Sequence, residues 1–326
     1  MTAASAPCIN AASTHQHQHL LPGLACGLGA GALWGLVFLA PELVRDFSPL
    51  ELTVGRYLAY GLIAGLLLLP RWSALMSRLP KGQWLHLAWL ALTGNTLYYI
   101  LLSSAVQTGG IAMTSLVIGF LPVTVTIIGS RDHGAVALRK LLPSLLLGAA
   151  GVACIGWQAL TVPGSGSLAR QLVGLLCAVG ALASWTAFAV GNARCLKRLA
   201  SVSGHDWSLL LGIVTGAQGL LLVPVALTIG TAQHDVAAWA RFGGVCAGLA
   251  VFASIAGNAL WNRMSRLLPL TLVGQMILFE TLFALVYGFI WERRAPTHLE
   301  VLALSFVVTS VLSCLSAHRR PVASAR

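Results

Sequence analysis

The sequence predicts an all-α membrane protein of ten transmembrane helices, arranged as two inverted five-helix repeats around a central cavity. Three observations predict it. Of 326 residues, 57% are hydrophobic and 9% charged, whereas about a quarter are charged in an ordinary soluble domain. Apolar stretches of about 20 residues, enough to cross a hydrocarbon layer of ~30 Å, follow one another with only short polar breaks. The third observation is that the chain repeats itself.

The apolar stretches lie near 21–41, 50–70, 84–106, 109–129, 141–160, 169–190, 207–229, 242–262, 270–290 and 297–316. Lipid satisfies no backbone N–H or C=O, and the short alternating segments of barrel strands are absent, so these runs must be helices.

Internal similarity is clearest between Gly65-Leu-Leu-Leu-Leu-Pro70 and Gly219-Leu-Leu-Leu-Val-Pro224, 154 residues apart. Gly94-Asn95 matches Gly257-Asn258 at a separation of 163, laying Tyr98 on Trp261 and Tyr99 on Asn262, and Trp34 falls on Trp185 at 151. Three matches in one order, at separations differing by loop-sized amounts, indicate a duplication. The expected organisation is a disordered tail over 1–20, a first five-helix repeat over 21–162, a second over 163–318 and a C-terminal tail over 319–326. Because five is odd, the second repeat enters the membrane from the opposite side, the arrangement that lets two bundles rock around a site near the midplane.

The net charge of +11 does not indicate nucleic acid, because the basic residues are scattered among the breaks instead of forming one patch. With the N-terminus inside, the inner segments carry Arg71, Arg78, Lys81, Arg131, Arg139, Lys140, Arg194, Lys197, Arg198, Arg263, Arg266, Arg319, Arg320 and Arg326. The outer ones carry Arg45, Arg170, Arg241, Arg293 and Arg294. This asymmetry is the positive-inside pattern and places both termini of the multi-pass chain in the cytoplasm. The lipid bilayer and a small-molecule substrate are the expected partners, and the oligomeric state is open between monomer and homodimer.

The seven cysteines form no CxxC pair and mostly sit within apolar runs, so they read as small packing residues and not as a disulfide or zinc framework. No metal site is expected. His15, His17 and His19 alternate in the polar tail, where a solvated segment is the main reading and weak metal binding the alternative. The first apolar run has no preceding Lys or Arg and no clear cleavage site, so a removed signal peptide is not expected.

Polar residues within the spans are the candidates for substrate binding. Glu280 stands in the middle of the ninth span, within Met276-Ile-Leu-Phe-Glu280-Thr-Leu-Phe, where an ionisable group is costly unless it faces a cavity or a partner. Substrate contact, proton coupling and a structural role tying helices together are its three readings. Asn95 with Tyr98, and Asn258 with Trp261, each share one helical face, which suits a cavity for a partly apolar solute or, alternatively, helix-to-helix glue. Trp34, Trp185 and Gln275 extend the same proposed lining. Pro122 removes one helical hydrogen bond from the fourth span and predicts a kink, a gating element or plain packing geometry. Arg56 lies about six residues, about 9 Å, from the outer end of the second span; it either snorkels to that interface or pairs with an anionic group of the substrate. Gly27, Gly31 and Gly35, Gly61 and Gly65, Gly212 and Gly216, and Gly244 and Gly248 are spaced four apart and predict faces of close helix approach.

No enzyme motif is present: Gly164-Ser-Gly-Ser is a connecting loop, and GxSxG, HExxH and P-loop patterns are missing. No cofactor and no catalytic residue are therefore expected, and energy has to come from a gradient or from the solute itself. A membrane-embedded enzyme acting on a lipid or isoprenoid is the runner-up. It would need paired acids or histidines, for which only His86 and His133 with Asp132 are at hand. A non-transporting receptor or assembly subunit is the third reading, for which the short loops offer no recognition surface.

Over residues 21–318 the chain resembles the EamA-type, ten-span members of the drug/metabolite transporter superfamily. Trp34-Gly35, Pro49 followed by Arg56, Leu121-Pro122-Val123 and Trp185-Thr-Ala-Phe running into Arg194 carry the resemblance. Phe279-Glu280-Thr281 is similar to the family's Glu-Pro pair, with Thr281 where Pro is usual. The resemblance implies secondary active transport, often efflux of amino acids, other metabolites or toxic compounds, through a central cavity in a bacterial inner membrane.

Overall fold

The computed structural model describes residues 9–80, 82–129, 138–161, 167–199, 202–230, 233–267 and 270–318. All regular structure among them is helical. Among the described residues six helical segments are long and apolar enough to cross a membrane: Leu21–Leu43, Pro49–Met76, Gln83–Gly109, Leu168–Leu196, Gly204–Ile229 and Val236–Ser265.

In chain order, α1 (Ile9–Leu43) is followed by α2 (Pro49–Leu68), a 3₁₀ turn Leu69–Arg71 and α3 (Trp72–Met76). Next come α4 (Gln83–Ala91), a π-helical turn Leu92–Thr96, α5 (Leu97–Gly109), α6 (Ile111–Ile118), α7 (Leu121–Gly129) and α8 (Leu138–Thr161). Then follow α9 (Leu168–Arg198), α10 (Gly204–Ile229), α11 (Val236–Gly248), a π-helical stretch Leu249–Gly257, α12 (Asn258–Leu267), α13 (Leu270–Glu292) and α14 (His298–His318). Short polar breaks set the helix starts. Ser48 and Glu51 form a reciprocal capping box with Pro49 at the first helical position of α2, and Ser203, Ser167 and Asp235 cap α10, α9 and α11.

Two expectations change along the chain. The helix of α1 begins at Ile9, inside the segment 1–20 expected to be a disordered tail. The Ala- and Gln-containing sequence there has adequate helix propensity once the apolar run has nucleated the helix. The side chains of His15, His17 and His19, and residues 130–137 with Asp132 and His133, lie outside the described set. The kink expected at Pro122 is instead a break. Gly119 N–H bonds to Ser115 O, Phe120 N–H to Val117 O, and a new helix starts from Phe120 O, which accepts from Val123 and Thr124. With no N–H on Pro122, the chain tightens into a turn at Gly119–Phe120 and restarts, with Pro122 in the tolerated first turn of α7.

The helices pack as α1 on α13, α2 on α10, α5 on α9 and α8 on α14, and glycines set the closest approaches. A Cβ added to Gly61 would stand 2.7 Å from Gly216 Cα, and one on Gly216 would stand 2.8 Å from Gly61 Cα, so α2 and α10 touch backbone to backbone. On α1, a Cβ on Gly31 would lie 2.7 Å from Phe279 Cβ and 3.0 Å from Glu280 N, and one on Gly35 would lie 2.9 Å from Phe283 Cβ. Gly27 meets the Met264 and Met276 side chains, and Gly212 meets Tyr60 and Ala64. Gly65 and Gly244, by contrast, have nothing within 4 Å, and Gly248 has only Phe252 at 3.9 Å. Spacing alone does not say which face of a helix meets a neighbour, so these three are not packing positions.

Both π-helical segments contain or adjoin a Gly-Asn pair and are braced from another helix. In the first, Leu97 N–H bonds to Leu92 O, and Thr93 O accepts from Ser184 Oγ of α9 at 2.7 Å. Gly94 leaves room for the Phe188 ring of α9. In the second, Ala253 O accepts from Trp34 Nε1 of α1 at 3.1 Å, and a Cβ on Gly257 would strike Trp34 Nε1 at 2.7 Å. A π-turn misaligns part of the helical ladder, and in an apolar interior the exposed carbonyl needs a donor from elsewhere.

Ion pairs tie the helix ends. Arg71 meets Asp206 at 3.0 Å at one end of the α2–α10 pair, and Arg241 of α11 meets Asp46, in the turn before α2, at 2.6 Å. Arg294 makes a two-pronged contact with Glu300 at 2.6 and 2.7 Å; that bond, with the nearby Glu292, holds the guanidinium pKa above its ordinary value.

The glycine contacts predict a contrast. Gly61→Val should destabilise the purified protein by about 1–3 kcal/mol through overpacking, whereas Gly244→Ala should leave it unchanged or raise it by up to about 1 kcal/mol through helix propensity. Thermal unfolding in detergent measures both, and equal effects would contradict the assigned faces. In the same assay Trp34→Phe should cost about 1–2 kcal/mol, because Ala253 O loses its donor in an apolar setting. Trp89→Phe, at a position 57% exposed, should be near neutral.

Candidate functional site

The group that organises the interior is Arg56. It lies on α2, two helical turns from Ser48, and its side chain turns inward: the residue is 7% exposed. The snorkelling reading is thereby overturned, because the guanidinium is enclosed by α2, α5 and the π-helical stretch of the opposite sequence half. Its Cζ stands 4.2 Å from the ring centre of Tyr99 and 5.1 Å from that of Tyr57. Nη2 donates to Ser254 Oγ at 3.4 Å. Among the described residues Nε and Nη1, and the hydroxyls of Tyr99 and Ser103, are buried without a partner in good hydrogen-bonding geometry, although the Tyr99 hydroxyl lies close enough to the guanidinium and to Ser103 for a weaker polar contact.

Glu280, half-buried on α13, is close enough for its charge to act on Tyr98 and to feel that of Arg56. Tyr98 is 7% exposed. Arg56, Tyr57, Tyr98, Tyr99 and Glu280 are thus gathered from α2, α5 and α13 into one charged and aromatic cluster. The backbone of α1 reaches it as well, because Gly31 packs directly on Phe279 and Glu280.

The other expected site residues divide. Asn95 turns to α10, where Nδ2 donates to Thr215 Oγ1 at 2.9 Å. Beside it Thr96 Oγ1 donates to Gln218 Oε1 at 2.6 Å, and Gln218 Nε2 donates to Ala88 O at 2.8 Å. Asn95 therefore ties helices together, the second of the two readings of its face. Asn258 lies beside the Tyr60 hydroxyl. Trp261 and Trp34 pack in a tilted arrangement with ring centres 5.0 Å apart and planes at 37°, and Trp261 packs with Met264 and Met276. Trp185 packs edge-on to Phe188 at 5.6 Å on α9. Gln275 lies on α13 with its side chain outside the described set. A shallow apolar groove where α2 crosses α10, lined by Leu58, Gly61, Leu62, Ile213, Gly216 and Leu220, contains none of these residues. His86, considered for the enzyme reading, is exposed and faces its own helix turn at Gly82 O, 3.3 Å away.

Tyr57 is a neighbour of the cluster that the sequence reading does not single out, and for Arg56 the structure favours the inward of its two readings. The adjacency Arg56-Tyr57, with Tyr98-Tyr99 one span later, was the available signal. What it lacked was the rotation of α2 about its own axis, which is set by the glycine contact with α10.

Comparison with known proteins agrees with this architecture. Residues 21–157 match the EamA-like transporter family. The chain is 30% identical over 313 residues to the inner membrane protein YtfF of Escherichia coli strain K12, covering 91% of this chain and 96% of that protein. A solved crystal structure superposes with a TM-score of 0.59 at 17% identity, over 90% of this chain and 97% of its own, which is a likeness of fold. The apolar helices, the internal charged cluster and these similarities together make this chain a multi-pass member of the EamA-like transporter family, within the drug/metabolite transporter superfamily.

Proposed function

We propose that the protein is a secondary active transporter that moves a small metabolite, an amino acid or similar amphipathic solute, outward across the inner membrane by alternating access. The observation that carries this reading is the cluster of Arg56, Tyr98 and Glu280 within an otherwise apolar helical bundle. Charges are retained at such depth where they meet a solute or an ion pathway. The cluster lies between helices of both sequence halves, which is where a solute held at a midplane site would contact each half in turn.

Ten spans in two inverted repeats complete the proposal. Its support is the reciprocal bracing of the two π-helical segments: α1 of the first half supplies Trp34 to the second segment, and α9 of the second half supplies Ser184 to the first. The family match over 21–157 falls within the first expected repeat, 21–162. Both termini are placed in the cytoplasm by the basic residues of the inner loops.

Glu280 is the candidate for proton coupling. In proteoliposomes, Glu280→Gln should flatten the pH dependence of transport while leaving insertion intact; an unchanged profile removes Glu280 from that role. The transport reading itself is tested by resistance and efflux in cells overproducing the protein, challenged with amino acids, nucleosides and toxic cations. Resistance to one class, lost in Glu280→Gln, supports it. No effect with any solute, despite correct insertion, refutes it.

A further inference from the structure

Arg56 carries an unmet chemical requirement. A guanidinium keeps its proton in any protein environment and presents five N–H donors in a rigid plane. Among the described residues Arg56 forms no ion pair with a carboxylate, its bond to Ser254 Oγ is long at 3.4 Å, and the Tyr99 hydroxyl adds only a weaker polar contact outside good hydrogen-bonding geometry. Tyr57 and Tyr99 offer ring faces, which attract a cation without using its in-plane donors. Ser254 takes one of the two hydrogens on Nη2, and among the described residues Nε and Nη1 meet no acceptor in good hydrogen-bonding geometry, the Tyr99 hydroxyl lying nearby. One edge of the guanidinium therefore keeps two parallel unused N–H groups.

The anion that fits two parallel donors on a planar fork is a carboxylate. Local charge points the same way. Arg56 is the basic group whose field reaches Tyr98, Tyr99 and Glu280, so a phosphate dianion would meet a single cation and the nearby Glu280 carboxylate. We infer that Arg56 anchors a carboxylate on the transported solute through this free edge, with the aromatic wall of Tyr57, Tyr98 and Tyr99 beside the solute's apolar part. The inference rests on the transporter reading and narrows its substrate to a singly charged organic acid or a zwitterion.

Acid and amide pairs of equal shape test it: 4-methylpentanoate with 4-methylpentanamide, leucine with leucinamide, and nicotinate with nicotinamide. Binding is read as the ligand-dependent rise in melting temperature of the full chain in detergent. At least one acid should stabilise the wild-type protein while its amide does not. Arg56→Gln should weaken that acid by roughly 30-fold or more, the loss typical when one partner of a buried charged pair is truncated. Arg56→Lys, which keeps the charge and loses the fork, should retain part of the affinity. If Arg56→Gln does not fold, Arg56→Lys decides alone: a weakened acid supports the anchor and an unaltered one overturns it.

An amide that binds as tightly as its acid, an acid indifferent to Arg56→Gln, or no acid bound at all also overturns the anchor. Protein-dependent exchange across proteoliposomes separates this failure from failure of the wider reading. Exchange of solutes without preference for a carboxylate removes the anchor and leaves transport standing. Absence of exchange for every solute, including those in the resistance screen, removes transport itself.

Discussion

Hydrocarbon offers no hydrogen-bond partner, so a polar group released inside this bundle has to find one in another helix. That constraint accounts for much of the internal structure. Serine and threonine hydroxyls within the helices turn back onto carbonyls one turn earlier, as Thr53 does to Pro49 O, Ser104 to Ile100 O and Thr186 to Leu182 O. Thr93 O and Ala253 O, in the two π-helical segments, accept from Ser184 and Trp34 of other helices. Asn95, Thr96 and Gln218 satisfy one another and Ala88 O across the contact of α10 with the helices around the first π-turn. Against this thoroughness, the unpartnered Nε and Nη1 of Arg56 stand out as a place where the bundle does not complete its own polar chemistry.

The same interactions fix where that place is. A π-turn adds a residue to one turn of helix and so rotates the side chains that follow it relative to those before. After Leu92–Thr96, Tyr98 and Tyr99 are carried to the interior beside Arg56, while Asn95 within the turn is held by Thr215 on α10. In the second segment Ser254 reaches Nη2 of Arg56 while Ala253, its neighbour, receives the Trp34 indole. Bracing a carbonyl and placing a site residue are thus done by adjacent residues of one segment. Gly94 and Gly257 are required because an aromatic ring from α9 or α1 lies where their side chains would be.

Much of the fold is legible in the sequence, because apolar length is a direct consequence of bilayer thickness, and six of the ten expected spans fall on helices that are long and apolar enough to cross a membrane among the described residues. Gly31 and Gly35, and Gly61 with Gly216, were legible as contact positions. Gly65, Gly244 and Gly248 share the same spacing without the contact, since a four-residue repeat marks a face but not what lies opposite it. The break at Gly119–Phe120 was read as a kink because Pro122 announces a lost hydrogen bond without saying how the neighbouring turn responds. The site was less legible. The chemistry of Glu280 and Tyr98 marks them as candidates, whereas which of two readings holds for Asn95, which bonds to Thr215, and for Arg56, which is buried, is not written in their residue types. Both depend on helix rotations set by tertiary contacts, to which sequence periodicity is blind.

The two charges of the cluster belong to different tightly packed helix pairs. Arg56 rides on α2, joined to α10 by the mutual approach of Gly61 and Gly216; Glu280 rides on α13, joined to α1 where Gly31 meets its backbone. Each pair is close to rigid, because glycine contacts leave no side chain to yield between the backbones. Any relative movement of the two pairs would alter the separation of Arg56 and Glu280. In an interior of low polarity their Coulomb interaction depends steeply on that separation. An anion bound to Arg56 would change the same balance of charge, so a solute and a rearrangement of the bundle act on one quantity. This shared dependence is the physical condition for a ligand to shift a conformational equilibrium, namely a different interaction energy in each state.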